Sequence, residues 1–285
     1  MLVNGRKNKL KTVYLDSIRG VDTAADALAG GEIVVVDYGA TFGTTFLPFL
    51  RKRVAQVRKE TEPLATVSLV MTHSQVMRWI DFDTIHPKLK SLIEAGHLDT
   101  LEGVSFIRFP ASTIAKQLAG EYHVNSLGEI QAFLVPESDK LMRRLRERHN
   151  IHYVGVRSAN IHGDPEEFNY SGAHDYAEQI GAKVIAVQSR NYNNIHLMRQ
   201  RVGSQPIIQF NYQATEEMFE ITLVRAGNTH PETMRRLLTN FVSAGGNFKH
   251  QEEKVGPLRK WYDSPLNLED PRLLREHLLQ VSGLR

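Results

Sequence analysis

Cysteine is absent from this sequence. Disulfides, thiolate nucleophiles and cysteine-based zinc sites are therefore excluded, and nothing marks a secreted scaffold. Long apolar runs are missing as well, so no segment reads as a bilayer-spanning helix. The opening residues, M-L-V-N-G-R-K-N-K-L-K, carry charge without an apolar core and do not read as a signal peptide. A cytoplasmic protein is expected. Three catalytic or nucleotide fingerprints are also missing: G-x-x-x-x-G-K-[ST], G-x-G-x-x-G and the G-x-S-x-G elbow.

What remains is an ordinary globular composition. The 285 residues are 41% hydrophobic and 24% charged, with a net charge of +3. That length suits one large α/β domain or two smaller ones. Basic residues gather at Arg6, Lys7, Lys9 and Lys11, at Arg51, Lys52, Arg53, Arg58 and Lys59, and at Arg143, Arg144, Arg146 and Arg148. Such groups are either solvated helix faces or a positive surface for phosphates.

Apolar periodicity predicts strands over 10–15, 32–36, 64–71, 104–108, 130–135, 153–156, 183–188, 206–210 and 219–224. Helices are predicted over 21–29, 46–59, 74–80, 87–96, 113–120, 139–147, 172–180, 194–201, 231–241 and 271–281. Ser138 and Thr229 are the expected caps of two of them. Residues 37–45 read as a loop, and the stretch after Gly245 reads as irregular up to the last helix. The alternation defines an α/β fold with a twisted, mixed parallel and antiparallel sheet and flanking helices. The simplest division is an N-terminal strand extension over 1–22, a domain over 23–244 and a C-terminal extension over 245–285.

Two stretches carry candidate chemistry. In V-G-V-R-S-A-N-I-H-G-D-P-E-E, residues 154–167, a strand hands over to a polar loop. Ser158 and Asn160 can hydrogen-bond an anion, and Gly163 allows close backbone approach. The same residues also suit a plain turn or helix cap. The second stretch runs from Ser204 to Gly227. Arg225 stands at a strand end beside glycine, where its fork suits a phosphate, a carboxylate or a structural ion pair. His162 with Asp164, and His174 with Asp175, lack partners at zinc spacing, so no metal site is expected.

In order along the chain, these pieces resemble the YrdC-like family, the threonylcarbamoyl-adenylate synthases and their relatives. The family's Gly-Gly, apolar strand and P-T-x-T-x-Y-G-L loop correspond to Gly30-Gly31, E-I-V-V-V and D-Y-G-A-T-F-G-T. Its K-x-R is Gln56-Val57-Arg58, followed by Pro63-Leu64. Its W-P-G-x-x-T is echoed by F-P-A-S-T at 109–113, and its R-V-P by Leu134-Val135-Pro136. Its S-A-N-x-S-G is Ser158-Ala159-Asn160-Ile161-His162-Gly163. Its S-T-V-V-D strand resembles S-Q-P-I-I at 204–208, and its I-x-R-x-G is Leu223-Val224-Arg225-Ala226-Gly227.

The resemblance covers roughly residues 23–238. It implies an open positive cavity that takes ATP as substrate, with magnesium recruited through the phosphates. The nucleotide contacts implied are Arg58, Ser158, Asn160, Ser204 and Arg225, with Lys59 and Arg157 as further phosphate contacts. Their role would be positioning and charge neutralisation, with no catalytic nucleophile. The implied activity is nucleotidyl transfer that makes a threonylcarbamoyl-adenylate for tRNA modification, with nucleotide and RNA as partners and no membrane. The chain departs from the pattern in the first loop, which lacks the proline, both threonines and the tyrosine, and at Gln56 and Leu134, which replace two cations. These departures point to a degraded threonine site. The alternative reading is a binding module for RNA or nucleotide without chemistry.

Overall fold

The structure, a computed structural model, describes residues 10–60, 66–160, 167, 169–190, 204–215, 218–251 and 270–281; at 51, 58–60 and 211–215 it describes the backbone only. The described strands are β1 (Lys11–Tyr14), β2 (Val34–Asp37), β3 (Phe42–Phe46), β4 (Ser68–Thr72), β5 (Phe106–Pro110), β6 (Glu129–Val135), β7 (Tyr153–Ser158), β8 (Val184–Val187), β9 (Ile207–Thr215), β10 (Met218–Arg225) and β11 (Gly246–His250). They form one mixed sheet in the order β1-β8-β2-β3-β7-β4-β6-β5-β9-β10-β11. The helices are α1 (Ile18–Ala29), α2 (Arg51–Glu60), α3 (His73–Trp79), α4 (Pro87–Glu94), α5 (Thr113–Ala119), α6 (Lys140–His149), α7 (Tyr170–Gln179), α8 (Pro231–Leu237), α9 (Thr239–Ser243) and α10 (Pro271–Val281), with a 3₁₀ turn at His97–Leu101.

The α/β class and the mixed sheet agree with the sequence, and several elements do not. Residues 42–45, expected as loop, and Phe46, expected to start a helix, form β3, a hairpin partner of β2 with Val34 opposite Thr45. Residues 246–250, taken for irregular chain, form β11, parallel to β10. Helix α2 begins at Arg51, after Pro48 rather than around it. Asp139, not Ser138, caps α6 by accepting from Met142 N, and His230, not Thr229, caps α8. The helix expected over 194–201 lies outside the described residues. β1 and β11 are strands of the same sheet, and Leu274, Leu278 and Leu279 of α10 pack in its largest core cluster.

Strand alternation sends successive side chains to opposite faces. One face carries Leu69, Met71, Ile107, Phe109, Ile208, Phe219 and Ile221 into a core with α3, α4, α5, α8 and α10. Under β2 and β3 the same face packs Val35, Phe42 and Phe46 with α2 and α7. The other face carries Val34, Val36, Val70, Phe133, Val154 and Val156 under α1 and α6. Those two helices are joined by ion pairs, Arg144 to Asp22 at 2.6 Å and His149 to Asp26 at 2.9 Å. This apolar cluster stops at β6 and Phe106 and takes no side chain from β9, β10 or β11. The second face continues there with polar side chains.

Candidate functional site

The site is best built from the turn after β2. Asp37 is fully buried, and its Oδ1 accepts from Gly39 N at 2.9 Å. Gly39 has φ 84°, a conformation open to glycine at little cost. Gln188 donates through Nε2 to the Asp37 carbonyl at 2.6 Å. Asp37 is therefore a latch within the turn, and its carboxylate is already engaged.

Tyr38 leaves this latch and folds its ring over the second face, against the apolar cluster there. Its edge meets Phe133 at a centroid distance of 5.7 Å and an interplanar angle of 78°. A Cβ on Gly43 would lie 2.8 Å from the Tyr38 ring, so the glycine makes room for it. The Tyr38 hydroxyl shares a 3.0 Å hydrogen bond with Thr45 Oγ1. Burial pushes that hydroxyl well above its ordinary value, partly offset by the Thr45 bond, so it stays neutral and positions rather than transfers protons.

Ser158 ends β7 directly opposite Gly43. The loop that follows is stitched to the start of β3. Ala159 N donates to the Phe42 carbonyl at 3.0 Å, Phe42 N to the Glu167 carbonyl at 2.8 Å, and Glu167 N to the Ala159 carbonyl at 3.0 Å. Thr41 Oγ1 also donates to the Glu167 carbonyl, at 2.9 Å. The first-loop and Ser-Ala-Asn motifs, far apart in sequence, are thus neighbours joined backbone to backbone.

The third piece arrives from the far side of the sheet. Arg225 directs Nε and a terminal NH2 at the Gln205 carbonyl, at 3.1 and 2.9 Å. Asn228 N donates to the buried Ser204 carbonyl at 2.7 Å. Gln205 Nε2 donates to the Tyr38 carbonyl at 3.4 Å. Contact therefore runs from Ser158 through Gly43, Tyr38 and Gln205 to Arg225. Beside it, Tyr38, Phe133, Val135, Asp139, Gln188 and Arg275 help to line a cavity of about 230 Å³.

Arg157 goes elsewhere. It lies opposite Thr44, whose hydroxyl meets Tyr176 of α7, so it belongs to the α2 and α7 face, away from Ser158. Its NH1 donates to the Thr66 carbonyl at 3.4 Å. The side chains of Arg58 and Lys59 lie outside the described residues, as do His162, Gly163 and Asp164. His174 and Asp175 form a 3.9 Å surface pair with Asp175 largely exposed. Among the described residues, one other cluster could contact a cation: ligand atoms of His73, Asp99 and Glu102 lie within 4.8 Å of one another. Arg275 sits 3.2 Å from Glu102 and opposes a cation there.

Sequence reading missed a row of polar residues on the same face as Ser158. Arg108 of β5 stands opposite Gln131 of β6 and Gln209 of β9; Gln209 stands opposite Thr222 of β10, and Thr222 opposite Lys249 of β11. Gln131 reaches on to Ser68 of β4, Nε2 to Oγ at 2.7 Å. All but Lys249 are single polar residues between apolar neighbours: V-S-L, I-Q-A, I-R-F, I-Q-F and I-T-L. That repeated triplet was the available signal.

The open mixed sheet with flanking helices is the fold of solved Sua5-like structures. Among solved structures, the chain is similar to P. abyssi Sua5 complexed with L-threonine, with a TM-score of 0.58 and 14% identity over 80% of this chain and 60% of that one. A hypothetical protein, smu.1377c from Streptococcus mutans UA159, superposes with a TM-score of 0.60 at 11% identity, covering 86% of this chain and 100% of that one. Full-length HypF in a phosphate- and nucleotide-bound form matches at a TM-score of 0.50 and 14% identity, over 72% of this chain and 24% of that one. The chain thus spans 60% of the length of the Sua5 structure and a quarter of HypF. No family model matches the sequence, and no curated protein matches it. Among the described residues no helix is long and apolar enough to cross a membrane.

Proposed function

We propose that this chain binds a nucleotide on the polar face of its sheet. Ser158 and Asn160 contact it on one side and Ser204 and Arg225 on the other, in a positive cavity; Arg58 and Lys59 belong to α2, which packs on the opposite face, and are not among its contacts. The observation that carries this reading is the contact path from Ser158 through Tyr38 and Gln205 to Arg225. Three motifs far apart in sequence meet along it. The fold shared with a nucleotide-bound HypF adds support. ATP is the nucleotide proposed, with magnesium held by its phosphates, and RNA, tRNA in particular, is the eventual acceptor. The reaction that fits is nucleotidyl transfer: ATP adenylates a carbamoyl group and releases pyrophosphate.

ATP should raise the melting temperature, because a ligand that binds only the folded state at 100 times its Kd stabilises it by about 2.7 kcal/mol. Ser158→Ala should cut the affinity roughly tenfold, the value of one lost hydrogen bond to a charged group. No rise at millimolar ATP contradicts the reading.

One observation favours binding over the full synthase reaction. The first loop offers Tyr38 and Ala40 where the family has threonines, and Asp37 where it has proline. Asp37 is latched to Gly39, and the Tyr38 hydroxyl is tied to Thr45. Little is left there to hold a threonine. ATP with bicarbonate and L-threonine is therefore expected to release little pyrophosphate in a coupled assay. Release as fast as that of an authentic synthase would show that the threonine site is intact.

A further inference from the structure

We propose that Arg108 is an oxyanion anchor at the centre of the polar face, aimed by Gln131 and Ser68, for a phosphate or carboxylate of the bound ligand. The inference rests on the polar face being the ligand face, and it does not require that the ligand be ATP.

The geometry begins with a fixed chain of three side chains. Gln131 donates from Nε2 to Ser68 Oγ at 2.7 Å, which turns its carbonyl oxygen toward β5. Arg108 Nε donates to that oxygen at 2.8 Å. Ser68 is buried, and Gln131 and Arg108 are partly buried. Arg108 Nε can only donate, which sets the Gln131 oxygen toward it, and the Ser68 hydroxyl accepts from the other end of the amide and holds it in place.

Using Nε in this way leaves the outer edge of the fork unengaged. Among the described residues, neither terminal nitrogen of Arg108 has a hydrogen bond, and no carboxylate lies within ion-pair distance. The other partly buried arginines are tied down. Arg53, Arg144, Arg146, Arg236 and Arg275 meet carboxylates, and Arg157 and Arg225 meet backbone carbonyls. A partly buried guanidinium without a counterion is unfavourable unless something answers its charge. Two parallel N–H donors on a planar fork fit a carboxylate or phosphate edge.

Neighbours leave the fork accessible. Gln209, opposite Arg108 on β9, directs its own amide to Glu129 Oε1 at 2.8 Å, and Asn125 donates to Glu129 Oε2 at 2.8 Å. That carboxylate is thereby occupied by two neutral donors. Arg108 stands three strand spacings from Ser158, roughly 14 Å across the sheet. A ligand held at Ser158 can present its far phosphates there, or a second, small acid can sit beside it.

The test uses Arg108→Gln and Arg108→Lys in the full chain, with calorimetric titration of four probes: ATP, adenosine, inorganic pyrophosphate and L-threonine. ATP and pyrophosphate report a phosphate source, threonine a carboxylate source. The expected result is that Arg108→Gln weakens at least one anionic probe tenfold or more and leaves adenosine unchanged. Arg108→Lys should recover only part of the loss, since a point charge cannot present the fork. The ligand-free melting temperature of Arg108→Gln should not fall. If every anionic probe binds Arg108→Gln as it binds the wild type, the inference is overturned; if ATP binding still depends on Ser158, the nucleotide reading survives it. If pyrophosphate or threonine binds in an Arg108-dependent way and ATP does not bind, this inference stands and the nucleotide reading fails. A drop in ligand-free melting temperature with no selective loss of anions assigns Arg108 a structural role and overturns the inference.

Discussion

Gly227→Ala is expected to destabilise the fold by about 3 kcal/mol, from about 1 kcal/mol or more for a left-handed alanine and 1–3 kcal/mol for the clash. Gly227 has φ 58°, and an added Cβ would lie 2.2 Å from the Ser204 carbonyl oxygen and 2.9 Å from the Gln205 carbonyl carbon. Neither atom can retreat cheaply. Asn228 N is bonded to the Ser204 carbonyl, and the Arg225 fork is bonded to the Gln205 carbonyl. The substitution pushes apart the two segments that this junction joins. Urea unfolding followed by circular dichroism measures the loss. The same variant should lose its thermal response to ATP, since Ser204 and Arg225 both move. A change below 1 kcal/mol would mean that the junction is far softer than its hydrogen bonds imply.

The second large effect is a pH dependence set by Glu102. This carboxyl is buried at the end of the 3₁₀ turn, and burial pushes it up to about 7 against the opposing pull of Arg275. Asp99 and Glu137 push it further the same way. A carboxyl whose folded pKa is raised favours the folded state while protonated. Its contribution is complete below about 4.5, its ordinary value, and is lost as pH rises through about 7. The size follows from the linkage relation and reaches roughly 3 kcal/mol. Glu102→Gln should therefore flatten stability between these limits. It removes the titrating group and leaves Arg275 bonded to the Glu102 carbonyl and to Glu276. Glu137 titrates outside this window. Burial raises it, but hydrogen bonds from Ser74, Arg146 and Thr72 outweigh that and leave it at about 2, so its contribution is lost only as pH falls toward that value. Chemical denaturation of wild type and Glu102→Gln at a series of pH values separates the two. An unchanged slope between 4.5 and 7 would contradict the assignment.

Much of the fold was legible in the sequence because burial wrote it there. The V-V-V of β2 is covered on both faces and reads as an unbroken apolar run. The last helix, Pro271–Val281, shows its period through Leu274 and Leu278. β3 was hidden because F-G-T-T-F has turn composition. Its glycine accommodates the Tyr38 ring, and its threonines bond Tyr176 and Tyr38, partners that local sequence does not reveal. β11 was hidden because G-N-F-K-H is an edge strand with mostly exposed side chains. The order of the site motifs was legible, but their mutual placement was not. Arg157 adjoins Ser158 in sequence and faces the opposite side of the sheet, since one residue along a strand reverses the face. Arg108 went unnoticed because a lone polar residue in a strand gains meaning only once the register sets it beside Gln131 and Gln209.

That reversal of face supplies the most direct test of the central claim, which is that the polar face holds the nucleotide. ATP is titrated calorimetrically into wild type, Ser158→Ala and Arg157→Ala. The expected result is binding by wild type, about tenfold weaker binding by Ser158→Ala, and binding by Arg157→Ala close to that of wild type. Equal binding by Ser158→Ala and wild type, or loss confined to Arg157→Ala, would place the nucleotide off this face and contradict the account.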